Sequence, residues 1–366
     1  MNPDPGLASW LKLALAPGIG PATLRRVLQQ FGLPHQVLAR PRRELEAFLP
    51  PEVLVHLQSD ALGPRVAHAL AWAAEPAHRI VTLADDDYPK LLLEIPDPPA
   101  LLFAVGRAEL LARPALAIVG SRNATPQGEA NASAFAKSLS ESGLTIVSGL
   151  ALGIDAAAHR GGLAATGSTI AVLGTGIDIV YPQRNAALAA QIAEQGLLLS
   201  EFALGTAPAA HNFPRRNRLI SGLARGCLVV EAALASGSLI TARAAAEQGR
   251  EVFAIPGSIH SPLAKGCHAL IKSGAKLVES ADDVLAELSG FRPSGYAATT
   301  KGIPAPPDAG LLAHMGHDPV DVDSLCSRAG MSAEQVSSEL LRLELDGRVT
   351  ALPGGLYQRL EKAPRR

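Results

Sequence analysis

Apolar positions along this chain follow three rhythms. Up to residue 78 they recur at helical spacing: "LASWLKLALAPG" and "GPATLRRVLQQFG" each carry an apolar stripe and end in glycine, and "RRELEAFL" and "GPRVAHALAWAAE" continue the pattern. From 79 to 288, short apolar runs alternate with helical stretches. "RIVTLAD", "ALAIVGSR", "GLTIVSG", "STIAVLG", "LLLSEF", "CLVVEA", "EVFAIPG" and "AKLVES" predict strands. Several are continuous apolar runs, as expected of a sheet covered on both faces. Helical stretches such as "GEANASAFAKSLSESG" and "SLITARAAAEQGR" lie between them, which predicts a parallel, doubly wound α/β sheet.

Period is lost over 289–309, "SGFRPSGYAATTKGIPAPPDA", where Pro, Gly, Ser, Thr and Ala predict an extended or disordered linker. Residues 310–366 regain pattern. "VDSLCSRAG" reads as a short helix closed by Gly330. "MSAEQVSSELLRLELDG" reads as a longer one with Ser332 and Gln335 spaced as a capping box. "RVTALPGGLYQRL" reads as a hairpin turning at Pro-Gly-Gly. That order predicts a winged helix.

Composition narrows the class. The 366 residues are 48% hydrophobic and 18% charged, which suits two or three globular units. Only 4% are aromatic, so the cores are expected to be built from Ala, Leu, Val and Ile. A net charge of -1 argues against a uniformly basic surface and leaves room for a local basic groove. Cys227, Cys267 and Cys326 are scattered, with no CxxC pair, and read as reduced thiols of a cytoplasmic protein. Neither a signal peptide nor a membrane span is expected. The residues show no metal-ligand framework, and no cofactor is expected.

Chemistry gathers where strands end, which is where open α/β sheets bind ligands. Gly120, Ser121 and Arg122 follow one strand: glycine permits close backbone approach, and arginine offers a fork suited to phosphate. Ser148 and Gly149 end the next. Asp155 and His159, at i and i+4 of the following helix, read as an internal bond fixing that helix, since no nucleophile motif accompanies them. "LGTGIDIVYPQRN" has Ile179 where a dinucleotide fingerprint needs its third glycine, which weakens NAD or FAD binding; Arg184 lies near the next helix start.

"HNFPRRNRLISG" packs Arg215, Arg216 and Arg218 around Asn217, after Phe213 and Pro214. Read as an extended segment, it would put Arg216 and Arg218 on one side and Asn217 on the other. Gly237 and Ser238 open a helix whose N–H groups form another anion seat, and Lys265 follows the next strand. Phe213 and Tyr181 are the aromatics expected on this rim. Near the start, "PGIGPATLRRVL" has the form of a helix-hairpin-helix turn that could hold a phosphate; the same turn reads equally as packing between two helices. Several anion seats on one rim, without catalytic equipment, fit a polyanion better than a small substrate.

Together, "VGSR", "SGLALGIDAAAH", "FPRRNRLISGL", "VVEAALASGSLITARAAAEQGREVFAIPG" and "GCHALIKSGA" resemble the DNA-processing protein A (DprA/Smf) family. "DDDYPKLLLEIPDPPALLFAVG" fits that family's entry to its core. The resemblance implies an α/β fold: an extended Rossmann-like, doubly wound parallel sheet over 79–288. Flanking it would be an N-terminal helical domain of SAM or helix-hairpin-helix type over 1–78 and a winged helix over 310–366. It implies a non-enzymatic binder of single-stranded DNA, active in natural transformation, that places the RecA recombinase on DNA and dimerises through its core. The implied DNA contacts are Gly120, Ser121 and Arg122, then Arg184, then Arg215, Arg216, Asn217 and Arg218. With so few aromatics, phosphate contacts are expected to dominate. The alternative is a Rossmann-type nucleotide-processing enzyme, such as a nucleoside-monophosphate phosphoribohydrolase, using Glu231 beside the Gly237–Ser238 seat. The PGGxGTxxE loop of such enzymes is absent.

Overall fold

The computed structural model describes residues 5–288 and 310–360; the expected linker over 289–309 lies outside them. Nine strands make one sheet: β1 (His78–Thr82), β2 (Leu101–Gly106), β3 (Ala115–Val119), β4 (Thr145–Ser148), β5 (Thr169–Val172), β6 (Leu197–Ser200), β7 (Gly226–Val229), β8 (Glu251–Ala254) and β9 (Lys276–Leu277). Their order is β1-β2-β6-β5-β4-β3-β7-β8-β9. From β6 to β9 every pairing is parallel.

The expected parallel, doubly wound sheet is present, with an antiparallel edge added to it. β2 was not among the expected strands, and it runs antiparallel to both β1 and β6. Its connection from β1 holds only the single-turn helix Lys90–Leu93, too little for the crossover that a parallel return needs.

The helices that matter most for the site are α1 (Pro5–Ala14), α2 (Pro21–Phe31), α3 (Pro126–Glu141), α4 (Ile154–Leu163), α5 (Asn212–Gly222) and α6 (Ser238–Glu247). The sheet is buried on both faces, so β3, β4, β5, β6 and β7 are buried at every position. The N-terminal helices do not keep their apolar stripe to themselves. Trp10, Leu11, Leu24 and Val53 share one buried cluster with Ile80, Phe103 and Leu173 of the sheet region.

The C-terminal unit has its own small core, including Leu325, Val336, Leu340 and Val349. α7 (Val322–Ala329) ends at Gly330, and α8 (Ala333–Leu345) starts from Ser332 with the expected capping box: Gln335 N–H donates to Ser332 Oγ, and Ser332 N–H to Gln335 Oε1. β10 (Val320–Asp321), β11 (Val349–Leu352) and β12 (Leu356–Arg359) complete the wing in a three-stranded sheet. The solvent face of α8 shows Glu334, Ser338, Leu341 and Leu345, and its exposed Arg342 is paired with Glu339, a poor surface for a phosphate backbone.

The turn from β4 into α4 is held from within. Leu150 has φ 57°, uncommon for a residue with a side chain, and its N–H donates to His159 Nε2 at 3.2 Å. Thr169 Oγ1 donates to Ile146 O, so His159 Nδ1 must carry the proton and donate to Thr169 Oγ1 at 2.7 Å. Asp155 Oδ2 accepts from Gly149 N–H and Ala151 N–H, and Asn185 Nδ2 donates to the carbonyls of Leu150 and Ala151. Asp155 and His159 thus have the internal role read from their spacing, though each binds the turn rather than the other.

Burial, with Arg216 and Arg160 nearby, holds His159 down from 6.5 to about 3, so the fold needs its neutral form. The unfolded chain takes up that proton below about pH 6.5. His159 therefore supports stability fully above that value, and the support is lost as pH falls toward 3. Between about pH 7 and pH 5 the wild type is expected to lose about 2 kcal/mol more than His159→Gln, measured by urea unfolding. Equal losses would show that this imidazole does not titrate as buried.

Candidate nucleic-acid interface

Beyond β3 the chain winds through β4, β5 and β6 on one side, then returns to β7 on the other. The strand order therefore reverses between β3 and β7, the position where open sheets form a crevice. A cleft of about 880 Å³ lies there. Its walls bring together Gly120, Ser121 and Arg122 after β3, Phe213, Arg216 and Asn217 of α5, and Gly237 and Ser238 at the start of α6. Tyr181 and Asn123 also line it. Ser148, Gly149, Arg184, Arg215, Arg218 and Lys265 do not belong to its lining.

The arginine cluster is the largest departure from the sequence reading. The segment is a helix, and Pro214 sits in its first turn, where a missing N–H costs nothing. A period of 3.6 then replaces a period of 2, and the three guanidiniums part. Arg216 is buried at 4% exposure; its Nη1 donates to Gly149 O at 2.6 Å and to Val172 O, and its Nε to Asn217 Oδ1. Burial lowers Arg216 to about 10, so it stays cationic at neutral pH. Arg218 is also inside, paired with Asp97 at 3.0 Å and with Glu201. Arg215 is half-exposed, 3.2 Å from Glu201, and lies over the Phe202 ring. Burial pushes Glu201 up, while Arg218 and Arg215 pull it back.

Three further seats are spent internally. Ser148 is fully buried and donates to Ile118 O at 2.7 Å, and Gly149 N–H is taken by Asp155. A side chain at Gly149 would run into the Arg216 guanidinium, at 2.6 Å from a Cβ, so this glycine serves close packing. At the start of α6, Ser238 N–H donates to Ser236 Oγ, Leu239 N–H to Ser236 O and Ile240 N–H to Gly237 O. Those amides already serve the turn. Lys265 is exposed and donates to Ile259 O, away from the cleft. Arg184 is exposed too, on the turn that follows Tyr181.

What faces solvent on the rim is Arg122, whose guanidinium sits 5.7 Å from the Phe213 ring centroid. Phe213 and Tyr181 lie 5.6 Å apart at an interplanar angle of 38°. Tyr181 is 47% exposed. Two rings and a guanidinium thus form one surface, with Asn123 and Asn217 beside it. Phe213 and Tyr181 are the two aromatics expected on this rim, and the fold puts them together. Nothing in the local sequence pairs Tyr181 with Phe213.

Glu231, the acid of the enzymatic alternative, does not line this cleft. Its Oε1 accepts from Thr125 Oγ1 at 2.6 Å and its Oε2 from Thr125 N–H at 2.9 Å, beside the first turn of α3. Asp155 does line the cleft, with Oδ2 held by two backbone N–H groups; burial raises it against the pull of Arg216.

Fold and site together define an open-sheet α/β protein with a ligand cleft at its switch point, rimmed by a guanidinium and aromatic rings. The sequence model for DNA recombination-mediator protein A matches residues 79–289, and that for the DprA winged helix domain matches 297–355. Protein Smf of Escherichia coli is 45% identical over 307 residues, covering 81% of this chain and 82% of that protein. The crystal structure of DNA processing protein A from Streptococcus pneumoniae superposes with a TM-score of 0.67 at 41% identity, covering 76% of this chain and 95% of that one. A structure of DNA processing protein A from Helicobacter pylori, solved to explain its single-stranded DNA binding mode, gives 0.52 at 32% identity, covering 57% and 95%. This chain belongs to the DNA processing protein A (DprA/Smf) family. Among its described residues, no helix is long and apolar enough to cross a membrane.

The two classes of arginine should separate on mutation. Arg216→Ala leaves Gly149 O and Val172 O without their donor and Asp155 without its counter-charge, and is expected to cost about 3–5 kcal/mol. Arg122→Ala should stay within about 0.5 kcal/mol of wild type. Urea denaturation of both variants checks this, and equal losses would contradict the assignment.

Proposed function

We propose that this protein binds single-stranded DNA without sequence preference, protects it during natural transformation and loads the RecA recombinase onto it, without catalysing a reaction. The observation that carries the reading is the exposed surface of Arg122, Phe213 and Tyr181 at the switch-point cleft. A guanidinium meets a phosphate, and the rings stack on bases that only a single strand leaves open. Asn123 and Asn217 offer hydrogen bonds to base edges. Arg184 and Arg215, outside the cleft, extend the charged path along the strand. Ser148, Gly149, Arg216 and Arg218 shape the site from inside. The non-enzymatic part is supported by the tethering of Glu231 to Thr125, away from the cleft.

The Helicobacter pylori relative's single-stranded DNA binding mode supports the choice of ligand. RecA loading rests on the family resemblance. A homodimer through the core is supported by β9, where Leu277 is 43% exposed and which is, among the described residues, the edge strand of the sheet. Sedimentation should show a dimer for the wild type and monomers for Leu277→Asp. A dimer in both would place the interface elsewhere.

Binding is tested by fluorescence anisotropy with a labelled oligonucleotide, single-stranded and duplex in parallel, between about 50 and 200 mM salt. The wild type should prefer the single strand. Arg122→Ala and Arg184→Ala should each reduce the log–log salt slope by about 0.7. Phe213→Ala should cost about 1–3 kcal/mol with little change of slope. Equal affinity for duplex, or full affinity in a variant that combines Arg122→Ala, Arg184→Ala and Phe213→Ala, would end the proposal.

A further inference from the structure

A second cleft, of about 940 Å³, opens on the other side of β7, between the core and the C-terminal unit. α3 and the loop after β8 form its core wall, and His317, Asp318 and Gln358 close it from the C-terminal side. β12, which carries Gln358, packs against α3.

The chemistry of this cleft is the inverse of the first. Among the described residues, no lysine or arginine lines it, whereas Glu231, Glu279 and Asp318 do. Gln358 is 5% exposed; its Nε2 donates to His317 O, and its buried Oε1 has no donor. Gln127, also in the lining, repeats the pattern: Nε2 donates to Asn131 Oδ1, and the buried Oε1 lacks a donor. Buried acceptors without donors are costly. Each Glu231 oxygen accepts one bond from Thr125 and retains a lone pair. Phe135 supplies a ring on the same wall.

We propose that this cleft is a seat for a guanidinium, taking an arginine side chain from a protein partner and bridging the core to the C-terminal unit. A planar, five-donor cation suits a wall of carboxylates and amide oxygens, and its flat face stacks on an aromatic ring. An ammonium offers a point charge and no stacking face. An anion would meet three carboxylates. This seat owes nothing to the DNA cleft, so its test needs no DNA.

The probe is L-argininamide, titrated into the full chain by saturation-transfer NMR, with L-lysinamide and spermidine in parallel. Argininamide should bind saturably and more tightly than either amine. Glu279→Gln with Asp318→Asn, both at exposed positions, should weaken it by about tenfold through loss of charge-assisted bonds. Phe135→Leu should narrow the preference for argininamide over lysinamide. Glu334→Gln, on the solvent face of α8 and outside the lining, should leave binding unchanged. Absence of saturable argininamide binding overturns the proposal. So does equal binding of all three cations, which would describe only an acidic surface, or unaltered affinity in the double variant.

Discussion

One buried guanidinium organises the rim of this sheet. Arg216 reaches from α5 to the carbonyl of Gly149 beyond β4 and the carbonyl of Val172 at the end of β5, with Asp155 as its counter-charge. A cation taken out of water at such a position is tolerable only when donors and charge are both matched. The match is bought with close packing. Gly149 must lack a side chain, Asp155 must hold the turn, and Asn185 and His159 must occupy the remaining backbone groups. Remove the pin and the loops that frame the cleft lose their common anchor.

That constraint divides the polar residues by task. Arg216 and Arg218 are consumed in building the floor, and Arg215 is tied to Glu201. Arg122 alone among the cleft-lining cations is exposed, and it is steadied by the Phe213 ring rather than by a carboxylate. The same sheet end also separates opposite chemistries. One side of β7 offers a guanidinium and rings, and the other offers carboxylates and unmatched amide oxygens. Glu231, at the end of β7, belongs to the second side, which removes it from the place an enzymatic reading would give it.

Much of the architecture was legible. Continuous apolar runs marked the parallel strands because a doubly covered sheet leaves no polar face. Ser332, Gln335 and Gly330 marked the winged-helix boundaries because capping is local chemistry. That Arg122, Tyr181 and Phe213, following β3, β5 and β6, would lie on one rim was legible too, because strand ends converge whatever the loops contain. β2 escaped because its apolar run directly follows a proline-rich stretch that reads as loop. The roles of Arg216 and Arg218 escaped because the FPRR segment allows two periods, and only packing selects the helical one.

The sequence by itself determined the family, the order along the chain of all the sheet's strands but β2, and the end of the sheet at which the cleft opens. These follow from periodicity, local capping and motif identity, which need no knowledge of distant partners. Tertiary structure alone decided which arginines are scaffold and which face solvent, that Tyr181 meets Phe213, and that Glu231 turns from the cleft. Each of those depends on contacts between residues far apart in the chain, where burial and charge pairing fix a side chain's fate and no local pattern records it.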